Sequence, residues 1–166
     1  MNSKILIAYA SRCGATAEVA QAIGQDLAAR GCLVDVMPAE KVKGVTAYGA
    51  VVLGSAVRFG KWLPEAMDFT RSHQAELKSV PTAFFTVHIL NVGTDEHSRA
   101  ARAAYTAPVR AIVQPGVETF FAGKLDRAKL SLFHKLIFIM MKEADLRDWN
   151  AIHAWGKSLF SPNAQG

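Results

Sequence analysis

Five strand-length apolar runs, separated by stretches long enough for helices, constrain the fold of this chain more than any other feature. The first, KILIAYA at 4–10, is nearly unbroken and is followed by a turn and then Val19, Ile23 and Leu27 at helical spacing, with Arg30 in the last turn and Gly31 as a stop. Further runs lie at 32–39 (CLVDVMPA), 48–55 (YGAVVLGS), 80–90 (VPTAFFTVHIL) and 117–123 (VETFFAG). Between them the spacing predicts a helix over 63–77, opened by Pro64 in its first turn, and a weaker one over 95–113 that Pro108 should break or kink. A final helix is expected over 147–160. Strands without polar alternation are buried on both faces, and crossovers of helical length join them in parallel. The expected architecture is α/β: a doubly wound, five-stranded parallel sheet in three α/β/α layers.

At 166 residues the chain is expected to form a single domain, 1–166, with a core that needs no staples. Apolar residues make up 51% and charged residues 20%, and no low-complexity tract interrupts them, which excludes a disordered chain. Two cysteines and no secretory leader pattern fit a reducing cytoplasm. The greasiest stretch, LSLFHKLIFIMM at 130–141, is too short to span a bilayer. Net charge is +5, and residues 97–135 concentrate the excess, with seven Lys and Arg against two carboxylates. Such a surface suits an anionic partner, whether nucleic acid, anionic lipid or an acidic small molecule, or is simply a solvated face.

In a doubly wound sheet ligands bind beyond the carboxyl ends of the strands. Those ends are SRCGAT (11–16), GSAVRFGKW (54–62), HILNVGTD (88–95) and AGKL (122–125). In the first, Gly14 and Ala15 let backbone N–H groups approach an anion, Ser11 and Thr16 offer hydroxyls, and the next helix directs its positive end at the same point. A phosphate fits. The loop is neither a Walker motif nor a G-x-G-x-x-G fingerprint. Cys13 does not head a cysteine-phosphatase loop, since Val19 stands where that loop needs Arg, and an inert Cys13 is favoured over an activated one.

S-x-x-G-x-T after the first strand, with Gly-Ser after the third, resembles the loops of flavodoxin-like FMN proteins. Together with GSAVRFGKW, FFTVHIL and the late LFHKLIFIMMK and Asp148–Trp149, the chain is similar to the menaquinone-dependent protoporphyrinogen IX dehydrogenases, flavodoxin-like flavoproteins of haem synthesis. The resemblance implies strand order 2-1-3-4-5 and FMN as cofactor. Ser11, Arg12, Cys13, Gly14, Ala15 and Thr16 would wrap its phosphate. Ser55, Ala56, Val57, Arg58, Phe59 and Gly60 would run along one side of the isoalloxazine, with Phe59 stacking. His88, Ile89, Leu90 and Asn91 would form the third loop.

His88 is read as a hydrogen-bonded loop residue ahead of an acid or base, and Arg58 equally as a clamp for a porphyrin propionate or as a plain surface charge. These two are the catalytic candidates.

In the resembled dehydrogenases a long insertion associated with membrane and quinone lies near the flavin. Here the counterpart, near 124–146, is shorter, with only KEADLR between the apolar stretch and Asp148. Burial of that stretch or homodimerisation is favoured over peripheral contact with the inner membrane. The basic balance argues against an acidic electron shuttle and suits a propionate-bearing porphyrin or anionic lipid.

The expected activity is therefore FMN-dependent oxidation, with electrons passing from a reduced substrate to FMN and on to a quinone or other acceptor. The alternatives are a single-electron carrier docking on a reductase, without a substrate pocket of its own, and a flavin-free regulatory module. Nucleic-acid binding ranks last, because no aromatic platform, helix-turn-helix or zinc pattern accompanies the cations. No metal site is expected.

Overall fold

The computed structural model describes residues 4–124 and 145–161. In chain order the elements are β1 (Ile5–Ala10), α1 (Ala15–Ala29), β2 (Val34–Pro38), β3 (Ala50–Arg58), β4 (Lys61–Trp62), α2 (Pro64–Ser72), α3 (Gln74–Ser79), β5 (Thr82–His88), α4 (Glu96–Arg110), β6 (Val117–Ala122) and α5 (Trp149–Ser158). The long strands form one parallel sheet in the order β2-β1-β3-β5-β6, with β4 attached to β3 as an antiparallel hairpin arm. If the long strands alone are numbered, the order is the expected 2-1-3-4-5.

Alternation along each strand divides the core in two. Ile5, Ile7, Val52, Phe85, Val87 and Phe121 face α1 and α5, packing on Val19, Ile23, Leu27 and Ile152. Leu6, Ala8, Val51, Leu53 and Phe84 face the other way, onto Leu63, Phe69, Leu77 and Val109. Because both faces are covered, neither parity of the strands is polar, and this is why the sequence shows runs. Gly54 is required by packing. A Cβ there would lie 1.9 Å from the Phe85 ring, which crosses β3 at that point.

Three expectations are corrected. The helix over 63–77 is two helices. His73 leaves the helical region at φ −116°, and the turn lets Phe69 of α2 and Leu77 of α3 both reach the core. Pro108 does not break α4. It stands two residues from the helix end, where its missing N–H removes a single bond, and the helix runs on to Arg110. The third strand does not end with its run at Ser55, since β3 continues through Arg58 and returns as β4, pairing Arg58 with Lys61 and Val57 with Trp62.

Residues 125–144, which include the apolar stretch at 130–141 expected to be buried, dimeric or membrane-facing, lie outside the described residues. Among the described residues no helix is long and apolar enough to cross a membrane.

Candidate functional site at the carboxyl edge of the sheet

β2 lies on one side of β1 and β3 on the other, so the chain reverses its direction of winding between β1 and β3 and opens a crevice above their carboxyl ends. All the sequence-predicted site residues fall on this edge. Ser11, Arg12, Cys13 and Gly14 form the β1–α1 loop, and Ala15 and Thr16 begin α1. Ser55, Ala56, Val57 and Arg58 end β3, and Phe59 and Gly60 make the hairpin turn. His88 ends β5, and Ile89, Leu90 and Asn91 follow it.

The first loop is shaped by Gly14, which enters α1 at φ 88°, a conformation costly for any residue with a Cβ. Its N–H donates to Ser11 Oγ at 3.0 Å, closing a tight turn and leaving the Ser11 hydroxyl hydrogen able to donate elsewhere. No side chain caps α1, so the amides of its first turn present the positive end of a 15-residue helix. That is the chemistry a phosphate dianion needs. Thr16 is buried in the same turn. Arg12 points across the loop to α2 and forms a two-pronged ion pair with Glu65, at 2.8 and 3.0 Å. The guanidinium holds the Glu65 carboxyl below its usual range.

The second loop is a two-residue hairpin turn with both central residues at positive φ, Phe59 at 51° and Gly60 at 71°. Such turns match the twist of the flanking strands but favour Asn-Gly, so Phe59 sits in a strained conformation while its side chain is 80% exposed. The Arg58 guanidinium lies 5.2 Å from the Phe59 ring centre. The hairpin base is fixed by polar contacts that sequence reasoning missed: the Leu63 N–H donates to the fully buried Ser55 hydroxyl (3.0 Å), and Trp62 Nε1 donates to Thr86 Oγ1 (2.9 Å). Ser55 therefore uses its hydroxyl to brace the hairpin.

In the third loop His88 is 4% exposed, with its ring near Tyr105 and Phe120. Its Nδ1 lies 2.7 Å from the Leu90 carbonyl and, facing an acceptor, carries the proton. Burial pushes its pKa down, with nearby Arg102 adding to the effect, so the ring is neutral at pH 7. Asn91, at φ 59°, donates to Tyr105 Oη, and Arg102 of α4 donates to the Asn91 and Gly93 carbonyls. Several cations of the basic stretch are thus engaged locally: Arg102 here, Arg99 with Glu96, and Arg110 with Glu118. Exposed Phe59, Leu90 and Val92 rim the edge.

After residue 144 the chain returns to this edge, pairing Asp145 with Lys124 in an antiparallel bridge. Arg147 then reaches Glu18 in the first turn of α1, a contact between residues 129 positions apart that no local signal announces. An open depression of about 610 Å³ lies at the opposite, amino end of the sheet, lined by Leu77, Thr82, Arg110 and Gly116 among others. Strand polarity and donor geometry, not size, put the site at the carboxyl end. Among the described residues no cluster of His, Cys, Asp or Glu could hold a metal ion.

Comparison with known proteins agrees with this geometry. Residues 6–148 match the flavodoxin domain family. Protoporphyrinogen IX dehydrogenase [quinone] of Escherichia coli K12 is 29% identical over 89 residues, 52% of this chain and 49% of that enzyme, so the match spans about half the length of the relative. The Leishmania major protein of the same name is 26% identical over 166 residues, covering 90% of this chain and 71% of its own. Among solved structures, a Streptococcus pneumoniae TIGR4 flavodoxin superposes with a TM-score of 0.59 at 16% identity, covering 95% of this chain and 97% of its own, a likeness of fold. FMN is the cofactor of the family, and the uncapped α1 terminus beside Gly14 fits its phosphate. By fold, by the position of its loops and by this match, the chain belongs to the flavodoxin domain family.

Proposed function

We propose that the protein is an FMN-dependent oxidoreductase that takes electrons from a reduced, propionate-bearing porphyrinogen and delivers them to a quinone. The observation that carries this reading is the uncapped amide terminus of α1, which stands across the β1/β3 crevice from a strained, exposed Phe59. One end suits a phosphate dianion, the other a flat ring. FMN, when bound, supplies the electron-transfer chemistry.

The chain's own residues bind and orient. The amides of Ala15 and Thr16 and the Ser11 hydroxyl hold the phosphate, with Arg12, Cys13 and Gly14 beside them. Ala56, Val57, Arg58, Phe59 and Gly60 flank one face of the ring, on a hairpin braced by Ser55. Ile89, Leu90 and Asn91 border the other side, in a loop pinned by Arg102 and His88. A neutral His88 whose Nδ1 proton is engaged is an anchor of this loop and not a proton donor. Arg58, exposed on the hairpin beside Phe59, would meet a substrate carboxylate. The basic composition of the chain and its likeness to dehydrogenases of that name favour this substrate class.

The test is reconstitution with FMN followed by anaerobic assay with protoporphyrinogen and a quinone. Turnover is the expected result. A yellow protein that does not turn over, and whose reductive titration halts at the one-electron level, is instead a flavodoxin-type carrier serving a reductase or other redox protein.

A further inference from the structure

The Arg147 side chain is 5% exposed although its neighbours Leu146 and Asp148 are exposed. Its guanidinium grips Asp145 with two prongs, Nε to Oδ1 at 2.8 Å and Nη2 to Oδ2 at 2.7 Å, while Nη1 donates to Glu18 Oε2. Its Cζ lies 4.6 Å from the Trp149 ring centre. The Asp145 backbone forms an antiparallel β-bridge with Lys124, and the Leu146 N–H donates to the Gly123 carbonyl at 3.1 Å. The result is a clasp between the end of β6 and the first turn of α1.

Glu18 is the acidic residue of that first turn, and its own N–H donates to the Gly14 carbonyl at 3.0 Å. A carboxylate so close to a helix N-terminus stabilises the bare helix. It also opposes any dianion that binds the same amides. Resting on the FMN reading above, we propose that Arg147 is a positioning residue for the flavin phosphate: shared between Glu18 and Asp145, whose own charge Lys124 also faces, it offsets the one acidic charge of the first α1 turn and leaves the helix end to the phosphate. Asp145 and Trp149 hold the guanidinium in place for that task. Glu18 is exposed, its side chain 61% accessible, and screening by water limits the size of the effect.

The experiment titrates FMN and riboflavin, which lacks the phosphate, into the wild-type chain and into Arg147→Gln, Arg147→Lys and Arg147→Gln/Glu18→Gln at low salt, following flavin fluorescence. Arg147→Gln should weaken FMN about three- to tenfold and leave riboflavin unchanged, with the loss shrinking as salt rises. Adding Glu18→Gln should restore FMN affinity. Arg147→Lys, which keeps the charge but loses the fork, should hold the FMN-to-riboflavin ratio within about twofold of wild type. Equal losses of both flavins, no loss of FMN in Arg147→Gln, or no rescue by Glu18→Gln would each overturn the proposal and leave Arg147 a purely structural clasp. If Arg147→Gln fails to fold, the Arg147→Lys ratio decides alone, a fall beyond twofold overturning it. A wild-type chain that binds neither flavin overturns the FMN reading itself, an outcome distinct from any of these.

Discussion

Arg12 and Glu65 join the first loop of the site to the helix that follows its second, through two parallel contacts of 2.8 and 3.0 Å between residues 53 apart in sequence. Both partners are partly exposed, so the pair contributes little to stability; its geometry rather than its energy is informative. The cation beside the phosphate cradle is committed to a carboxylate. Glu65→Gln should therefore release Arg12 toward the phosphate and tighten FMN about two- to fivefold with riboflavin unaffected, whereas Arg12→Ala should weaken FMN by a similar factor. Parallel titrations of the two flavins check this. Weaker binding of both flavins in Glu65→Gln would show instead that the pair aligns α2.

Phe59 combines exposure with a positive φ, and it should trade stability for binding. Phe59→Gly removes the strain and should leave the fold as stable or up to about 1 kcal/mol more so, while weakening FMN roughly tenfold through loss of the stacking face. Chemical denaturation and flavin titration on the same preparation test both halves.

His88 should make the protein less stable in mild acid. Its folded pKa is depressed by burial, so the unfolded chain binds the proton more readily; the stability it supports is complete above about pH 6.5 and is lost as pH falls from there through the folded value. Wild-type melting temperature should drop between pH 7.5 and 5.5 by more than that of His88→Gln, which itself melts lower at pH 7.5 because the 2.7 Å bond to Leu90 and the ring packing are gone. An equal drop in both proteins would contradict this.

Gly54→Ala should destabilise the fold by about 1–3 kcal/mol, since its Cβ would enter the Phe85 ring and force a buried side chain to move. Urea denaturation measures the difference. A second change, Phe85→Leu, should recover part of it.

Much of this was legible in sequence because a parallel sheet buried on both faces leaves uninterrupted apolar runs, and runs such as KILIAYA and VPTAFFTVHIL place the carboxyl ends to within two residues. The small residues of SRCGAT likewise point to an amide cradle. What escaped has separate causes. The pairs Arg12–Glu65 and Glu18–Arg147 join distant segments, and nothing near either residue encodes its partner. The β3–β4 hairpin was hidden because its turn is Phe-Gly, where a bulky residue occupies a position that Asn ordinarily takes. The break at His73 follows from where Phe69 and Leu77 must point, a tertiary demand that overrides an unbroken helical pattern.

The central claim is that the β1–α1 bend holds the phosphate of FMN, and a crystal structure grown with saturating FMN tests it most directly. The account predicts the phosphate within hydrogen-bonding distance of the Ala15 and Thr16 amides and the Ser11 hydroxyl, with the ring lying against Phe59. FMN seated elsewhere, or a bend filled by its own side chains while FMN is in excess, would contradict it.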